Sequence, residues 1–266
     1  MKRLFLAIAA VTAVASAASA ADLPGRAAVV APSFAAPAFT WTGFYVGAHA
    51  GYTWSDADVK LANVGGNLLP IDVRNGVFPT SISVDREGFM GGVQGGYNMQ
   101  FGMFVVGGEA DISWTDSQDN TVFSVIDPAP PPWPFSGALI NSTFGTQLDW
   151  LATFRLRGGI AVDRALFFVT GGVAGGEVTN TFGIGIPGIG YNKTWTRSDT
   201  EWGWTVGAGM EYALTNNISL KAEYLYYDLG DRTIHASDPA NFGPEFIDYK
   251  FKNDGSIVRG GVNVRF

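Results

Sequence analysis

The chain has 266 residues, with 17 Lys and Arg against 24 Asp and Glu for a formal net charge of −7, and it has no cysteine. That acidic balance argues against nucleic acid as a partner, and the missing cysteines exclude a disulfide framework and a thiolate metal site. Hydrophobic residues make up 47%, yet they are scattered singly among 35 glycines, 19 Phe, 9 Tyr and 8 Trp, so no stretch after the N-terminal segment reads as a membrane-spanning helix.

Met1 to Ala20 reads as a secretory signal peptide. Lys2 and Arg3 form a positive start, Leu4 to Val14 an apolar run, and Ala18-Ser19-Ala20 an A-x-A cleavage site before Ala21. The apolar run is too short for a membrane helix. Removing Lys2 and Arg3 leaves 15 basic side chains against the 24 acidic ones. Residues 21–40, ADLPGRAAVVAPSFAAPAFT, carry Pro24, Pro32 and Pro37; proline at that density denies helix and sheet ladders, so an extended periplasmic linker is expected.

Residues 41–266 alternate with period two, the mark of strands with two unlike faces. The first strand, Trp41 to Trp54, puts Phe44, Val46, Ala48, Ala50, Tyr52 and Trp54 on one face. Glu87 to Gln100 does so with Phe89, Val93 and Tyr97, and Met103 to Thr115 with Phe104, Val106, Ala110, Ile112 and Trp114. Gln147 to Val162 places Leu148, Trp150, Phe154 and Leu156 outward. Leu166 to Thr179 is ambiguous, because both faces are apolar or glycine; Leu166, Phe168 and Val178 are assigned outward. Glu201 to Asp231 is a hairpin about Thr215-Asn216-Asn217, with Trp202, Trp204, Val206, Ala208, Met210 and Tyr212 against Leu220, Ala222, Tyr224 and Tyr226. Keeping Glu211 on the face of Lys221 requires an odd number of connecting residues. Ser256 to Phe266 closes the set.

Eight strands of about ten residues, apolar outside and polar inside, predict an all-β fold, an eight-stranded antiparallel up-and-down transmembrane β-barrel. Short turns at Gln100-Phe101-Gly102-Met103, Asp163-Arg164-Ala165 and Thr215-Asn216-Asn217 alternate with long polar or Pro/Gly-rich connections near 55–86, 116–146, 180–199 and 231–250. Short periplasmic turns and long extracellular loops are the outer-membrane pattern. Odd strands then run outward. Trp54, Phe89, Trp114, Trp150, Trp202, Trp204 and Tyr226 gather at the outer rim, and Phe44, Tyr97, Phe104, Phe168, Tyr212 and Phe266 at the periplasmic rim. These two aromatic girdles would meet outer-membrane lipid and lipopolysaccharide.

The motifs Trp41-Thr42-Gly43-Phe44-Tyr45-Val46-Gly47, Gly203-Trp204-Thr205-Val206-Gly207-Ala208-Gly209, Leu220-Lys221-Ala222-Glu223-Tyr224 and Val262-Asn263-Val264-Arg265-Phe266 resemble the alphaproteobacterial outer-membrane immunogenic (surface antigen) porin-like family, itself similar to the eight-stranded OmpA barrel. The resemblance covers residues 39 to 266. It implies an outer-membrane barrel with immunogenic surface loops and a C-terminal aromatic, here Phe266, read by the barrel assembly machinery during biogenesis. The family label "porin" names no solute.

Glu109, Asp111, Arg155, Arg157, Glu211, Lys221, Glu223 and Arg259 share the inward parity. Eight strands enclose a space that side chains can nearly fill, and charges buried there need partners, so they are expected to interdigitate as ion pairs that plug the lumen. The alternative is a selectivity lining of a narrow diffusion channel. His49 as base with Asp111 and a Ser113 nucleophile would be the candidates for an acyltransferase or lipase site, but a lumenal polar histidine is the simpler reading, and no enzyme is expected. His49 and the loop residue His235 make no metal motif, and no cofactor is implied. Asp127 to Pro134 favours polyproline II; it reads as a stiff surface loop, and Trp133 in it as a point that could meet a host or surface ligand. The functional expectation is a structural envelope component that presents long extracellular loops.

Overall fold

Residues 39–131 and 135–266 are described by the computed structural model. The expected signal peptide, the linker up to residue 38, and Trp133 lie outside the described residues. The described residues form nine antiparallel strands: β1 (Gly43–Gly65), β2 (Ser81–Phe101), β3 (Phe104–Thr115), β4 (Gln118–Ile126), β5 (Leu139–Val162), β6 (Ala165–Ile186), β7 (Tyr191–Ala213), β8 (Ile218–Ser237) and β9 (Phe246–Arg265). Two short helices, α1 (Leu69–Arg74) and α2 (Pro239–Phe242), sit in the connections.

The strands pair in the order β3-β2-β1-β9-β8-β7-β6-β5, and β3 pairs with β5 to close a ring. The ninth strand does not enlarge it. β3 lies along Trp150–Ile160 of β5, and β4 continues in the same place along Leu139–Gln147. The expected ring of eight is therefore the ring observed, with one wall position interrupted at Asp116 and Ser117. At the turn end, Phe101 pairs with Phe104 and Val162 with Ala165 across two-residue turns. Gly102 and Asp163 take the left-handed backbone those turns require. Ala213 pairs with Ser219, leaving Leu214 to Ile218 between them. That odd spacing puts Glu211 opposite Lys221, as alternation demands.

The strands are longer than expected. Most of the segments read as loops near 55–86, 116–146, 180–199 and 231–250 continue the ladders, so the irregular connections shrink to stretches such as 66–68, 75–80 and 127–138. The reason lies in the alternation itself, which inverts along long strands such as β1 and β9. In β1, Phe44, Val46 and Trp54 face out; farther along, Asp58 and Lys60 face out and Val59 is buried. In β9, Val258, Val262 and Val264 are exposed near the turn end, whereas Phe251, Tyr249 and Ile247 are buried in the far half. Apolar-out gives way to apolar-in where the wall passes from a lipid-like surrounding to water.

The far half is also not a closed ring. Pairing of β7 with β8 stops at Trp204 and Asp228, pairing of β2 with β3 stops at Met90 and Thr115, and β4 pairs with β5 alone. Beyond those points β8-β9-β1-β2 and β4-β5-β6-β7 form two four-stranded sheets, with no ladder crossing between them among the described residues. They close over an apolar core. Val59, Phe251, Tyr249 and Ile247 from one sheet meet Ile140, Phe144, Phe182 and Ile186 from the other. The Phe144 and Phe182 rings lie 4.8 and 4.9 Å from that of Tyr249. Burying each such side chain contributes about 1.5–3 kcal/mol, which holds the two sheets together without a shared ladder.

Two facing assignments need correction. In β6, Leu166, Phe168 and Val178 point inward and are buried, while Phe167, Val169 and Val173 are exposed. Phe168 therefore belongs to the interior and not to the periplasmic rim. With glycine or apolar residues on both faces, β6 carried no polarity contrast. Leu148 is also buried, because Asp149 is bulged out between the Leu148 and Trp150 pairings and flips the parity. Trp41 precedes β1 and is fully buried at the turn-end mouth, packed with Val105, Leu166 and Phe168.

Glu245 anchors the loop above the sandwich. Its carboxylate accepts the backbone N–H of Asn67 (2.7 Å), Leu68 (3.1 Å) and Leu69 (2.9 Å). Burial disfavours its charge, but those N–H groups outweigh burial and hold the carboxyl below the usual range. A depressed folded value means that the anchor contributes fully above the unfolded carboxylate range near ~4.3 and is lost only as pH falls through the lower folded value. Carbon-13 titration of the Glu245 carboxyl should show that depressed midpoint. Glu245→Gln should expose the 66–69 segment to proteolysis at pH 7, and an unshifted midpoint would contradict the anchor.

Candidate functional site

The ring interior at mid-height is polar because each strand that crosses it presents its non-apolar parity there. β3 supplies Glu109 and Asp111, β5 Arg155 and Arg157, β7 Glu211, β8 Lys221 and Glu223, and β9 Arg259. Register places Glu109 opposite Arg155, Glu211 opposite Lys221, and Glu223 opposite Arg259. All eight are buried, and the four cations match the four anions.

Arg155 is at the centre, with no side-chain exposure. Its guanidinium donates to Glu109 Oε1 (2.5 Å), Asp111 Oδ2 (2.7 Å), Glu223 Oε2 (3.0 Å) and Thr153 Oγ1 (2.9 Å). Arg259 grips both Asp111 oxygens, at 2.9 and 3.1 Å, and Glu223 Oε1 at 2.7 Å. Lys221 Nζ bridges Glu109 (2.8 Å) and Glu223 (2.8 Å). Arg157 forms the turn-side edge, 3.0 Å from Glu211 and stacked 4.1 Å from the Phe168 ring. Planar guanidinium forks on carboxylates are the geometry that best offsets desolvation in a low-dielectric interior.

The inward glycines make room for this. A Cβ on Gly172, opposite Arg155, would fall 2.0 Å from the Phe154 carbonyl oxygen, and one on Gly51 would fall 2.6 Å from Arg259 Cβ. Sequence reasoning passed over Tyr45, Asn263 and Ser219. Tyr45 donates to Glu109 (2.7 Å) and accepts from Arg157 (3.1 Å), while Ser219 and Asn263 donate to Glu211 at 2.6 and 2.9 Å. Their inward parity was the available signal.

Buried apolar clusters lie on both sides, the one toward the far half also holding Arg86, whose Nη2 donates to Tyr227 Oη (2.8 Å). Toward the far half, Met90, Leu148, Leu151, Leu225, Tyr227 and Ile257 form a buried cluster, and toward the turns lies the Trp41 cluster. Arg265 stacks 4.4 Å from the Trp41 ring and donates to the Thr40 carbonyl (2.9 Å), and Gln100 accepts from the Trp41 N–H (2.7 Å). The segment entering β1 is thus fastened across the mouth.

His49 Nε2 lies 2.8 Å from Ser113 Oγ, but also 3.1 Å from Arg259. Asp111 is engaged by Arg259, Arg155 and Thr153 instead of His49 Nδ1, which has no hydrogen-bond partner among the described residues. No carboxylate orients the imidazole, and the pair is walled off from solvent. His235 sits in the far half beside Asp248 (2.6 Å). Among the described residues no group of His, Asp and Glu is arranged to hold a metal ion.

Outside, Trp54, Trp114, Trp202 and Trp204 are exposed and Trp150 is partly so, where the closed ring meets the two sheets; Tyr212 and Phe266 are exposed at the turn end. The Phe266 N–H donates to the Phe44 carbonyl (2.9 Å), seating the last residue on the β1–β9 closure.

Comparison with known proteins agrees with this architecture. A family model described as an outer membrane protein beta-barrel domain matches residues 5–266. The chain is 36% identical over 230 residues to the 31 kDa outer-membrane immunogenic protein of Brucella melitensis, covering 86% of this chain and 85% of that one. It is 28% identical over 232 residues to the 22 kDa outer membrane protein of Rhizobium leguminosarum bv. viciae, covering 86% and 80%. To the 25 kDa outer-membrane immunogenic protein of Brucella abortus it is 26% identical over 240 residues, covering 90% and 85%.

Proposed function

Because the chain belongs to the outer membrane protein beta-barrel domain family, and so lies in the outer membrane against lipid, we propose that it is a closed, structural surface barrel and neither a porin nor an enzyme. The turn end is periplasmic and the two-sheet half stands outside the cell. The observation that carries this reading is the lumen: a charge-balanced cluster around fully buried Arg155, with buried apolar clusters above and below. A hydrated ion would have to break several charge-assisted hydrogen bonds and pass both apolar clusters.

The barrel then supports the envelope and displays the sandwich and its connecting loops, whose rigidity comes from the apolar core and the Glu245 anchor, to surface or host ligands. Phe266, exposed at the end of the closing strand, is positioned to be read by the barrel assembly machinery. The aromatic girdles Trp54, Trp114, Trp150, Trp202 and Trp204 on one side and Tyr212 on the other fix its depth against lipid and lipopolysaccharide. Liposomes carrying the purified protein should swell in isosmotic arabinose no faster than protein-free liposomes. Swelling that rises with protein content would favour a channel.

A further inference from the structure

The two external sheets enclose a second feature that the closed lumen does not use. Between them, beneath α1 and α2, is a cavity of about 60 Å³. Its wall is largely apolar, with Phe78, Phe135, Ile140, Ile186, Ala236 and Ile247 contributing from both sheets and from the loops. Two of the carboxylates at its rim are already engaged. Glu245 holds the 67–69 amides, and Asp238 accepts from Tyr191 (3.0 Å), Asn241 (2.8 Å) and Lys193 (3.2 Å). A water needs about two to four polar partners and roughly 10–15 Å³ of such space. This cavity offers several times that space but few spare partners, so it suits an apolar occupant better than water.

Access lies at the seam where β7 and β8 have separated. A groove of about 510 Å³ runs along its outside, lined by Thr194, Thr196, Arg197, Thr233 and His235. Trp195 lines both this groove and the inner cavity. Its Nε1 donates to the Ser237 carbonyl across the seam (3.3 Å), and its ring stacks 5.9 Å from Phe182. No backbone ladder has to break for this side chain to swing.

We propose that the cavity is a binding site for very small uncharged apolar molecules, of the size of xenon or cyclopropane, admitted from outside through the β7–β8 seam with Trp195 as the door. The size limit follows from the volume. The exclusion of charge follows from the saturated carboxylates, because an ionic ligand would lose hydration and find no free partner.

The test uses the full barrel in lipid nanodiscs with xenon followed by xenon-129 NMR. Wild type should show a saturable site competed by cyclopropane and not by acetate. Ala236→Leu, which fills the cavity, should weaken that site at least tenfold without changing heat-modifiable gel mobility. Phe135→Ala, which enlarges it, should strengthen binding several-fold and keeps the test decisive if the filled variant does not fold. Trp195→Ala should speed exchange of the bound probe. Partitioning that never saturates, competition by acetate equal to that by cyclopropane, or indifference to both cavity variants would overturn the proposal.

Discussion

Arg155→Ala is expected to cost the barrel about 3–5 kcal/mol and to make the lumen leak. The guanidinium has no exposure and is the shared partner of Glu109, Asp111 and Glu223. Its removal leaves Lys221, Arg259 and Arg157, the last 3.7 Å from Glu109 and shared with Glu211, to balance four carboxylates. Breaking a buried ion cluster costs more than the cluster contributed, because the stranded charges remain in a low-dielectric interior. Water then has to enter to solvate them. Urea titration of protein refolded in lipid vesicles reads the stability loss, and steady conductance in planar bilayers reads the opening. Adding Glu109→Gln to Arg155→Ala should cost less than the sum of the two single changes, since the second removes a charge the first stranded. Additive losses would mean that the two residues do not act through one network.

Ala208→Arg should destabilise by about 2–4 kcal/mol in the same vesicles, the usual penalty for arginine facing lipid near mid-membrane. Ala208 is exposed on β7 between Val206 and Met210, opposite Val169 and Tyr224. Asn192→Arg lies on the same strand with the same parity but in the two-sheet half, and should change stability by no more than about 0.5 kcal/mol. The pair isolates lipid from geometry. Equal costs would place both positions in the same surroundings and remove the boundary drawn at the outer tryptophans.

The closed ring was legible from the sequence because lipid outside and charge inside give opposite residues on successive positions. Phe44, Val46 and Trp54 against His49, or Val262 and Val264 against Asn263 and Arg265, leave little choice of facing. The eight inward charges followed from the same parity, although which cation meets which anion depends on register and side-chain reach. The far half was missed for a physical reason. Asp58-Val59-Lys60 and Lys250-Phe251-Lys252 alternate as strictly as the membrane strands, but with the sense of a water-soluble sheet, and so resembled polar loops. β6 failed differently: with glycine or apolar residues on both faces, only its neighbours Thr205 and Arg155, across the ladder at Gly172, set its facing. The bulge at Asp149 and the burial of Trp41 depend on long-range packing that alternation does not encode.

The central claim is that the ionic cluster seals the lumen, and single-channel recording of the wild-type barrel in planar bilayers tests it most directly. With Arg155→Ala in parallel as the opened reference, wild type should show no steady conductance at moderate voltage while the variant leaks. Regular, ion-selective wild-type openings that Arg155→Ala alters in selectivity without increasing them would contradict the claim and identify the cluster as the lining of a conducting pore.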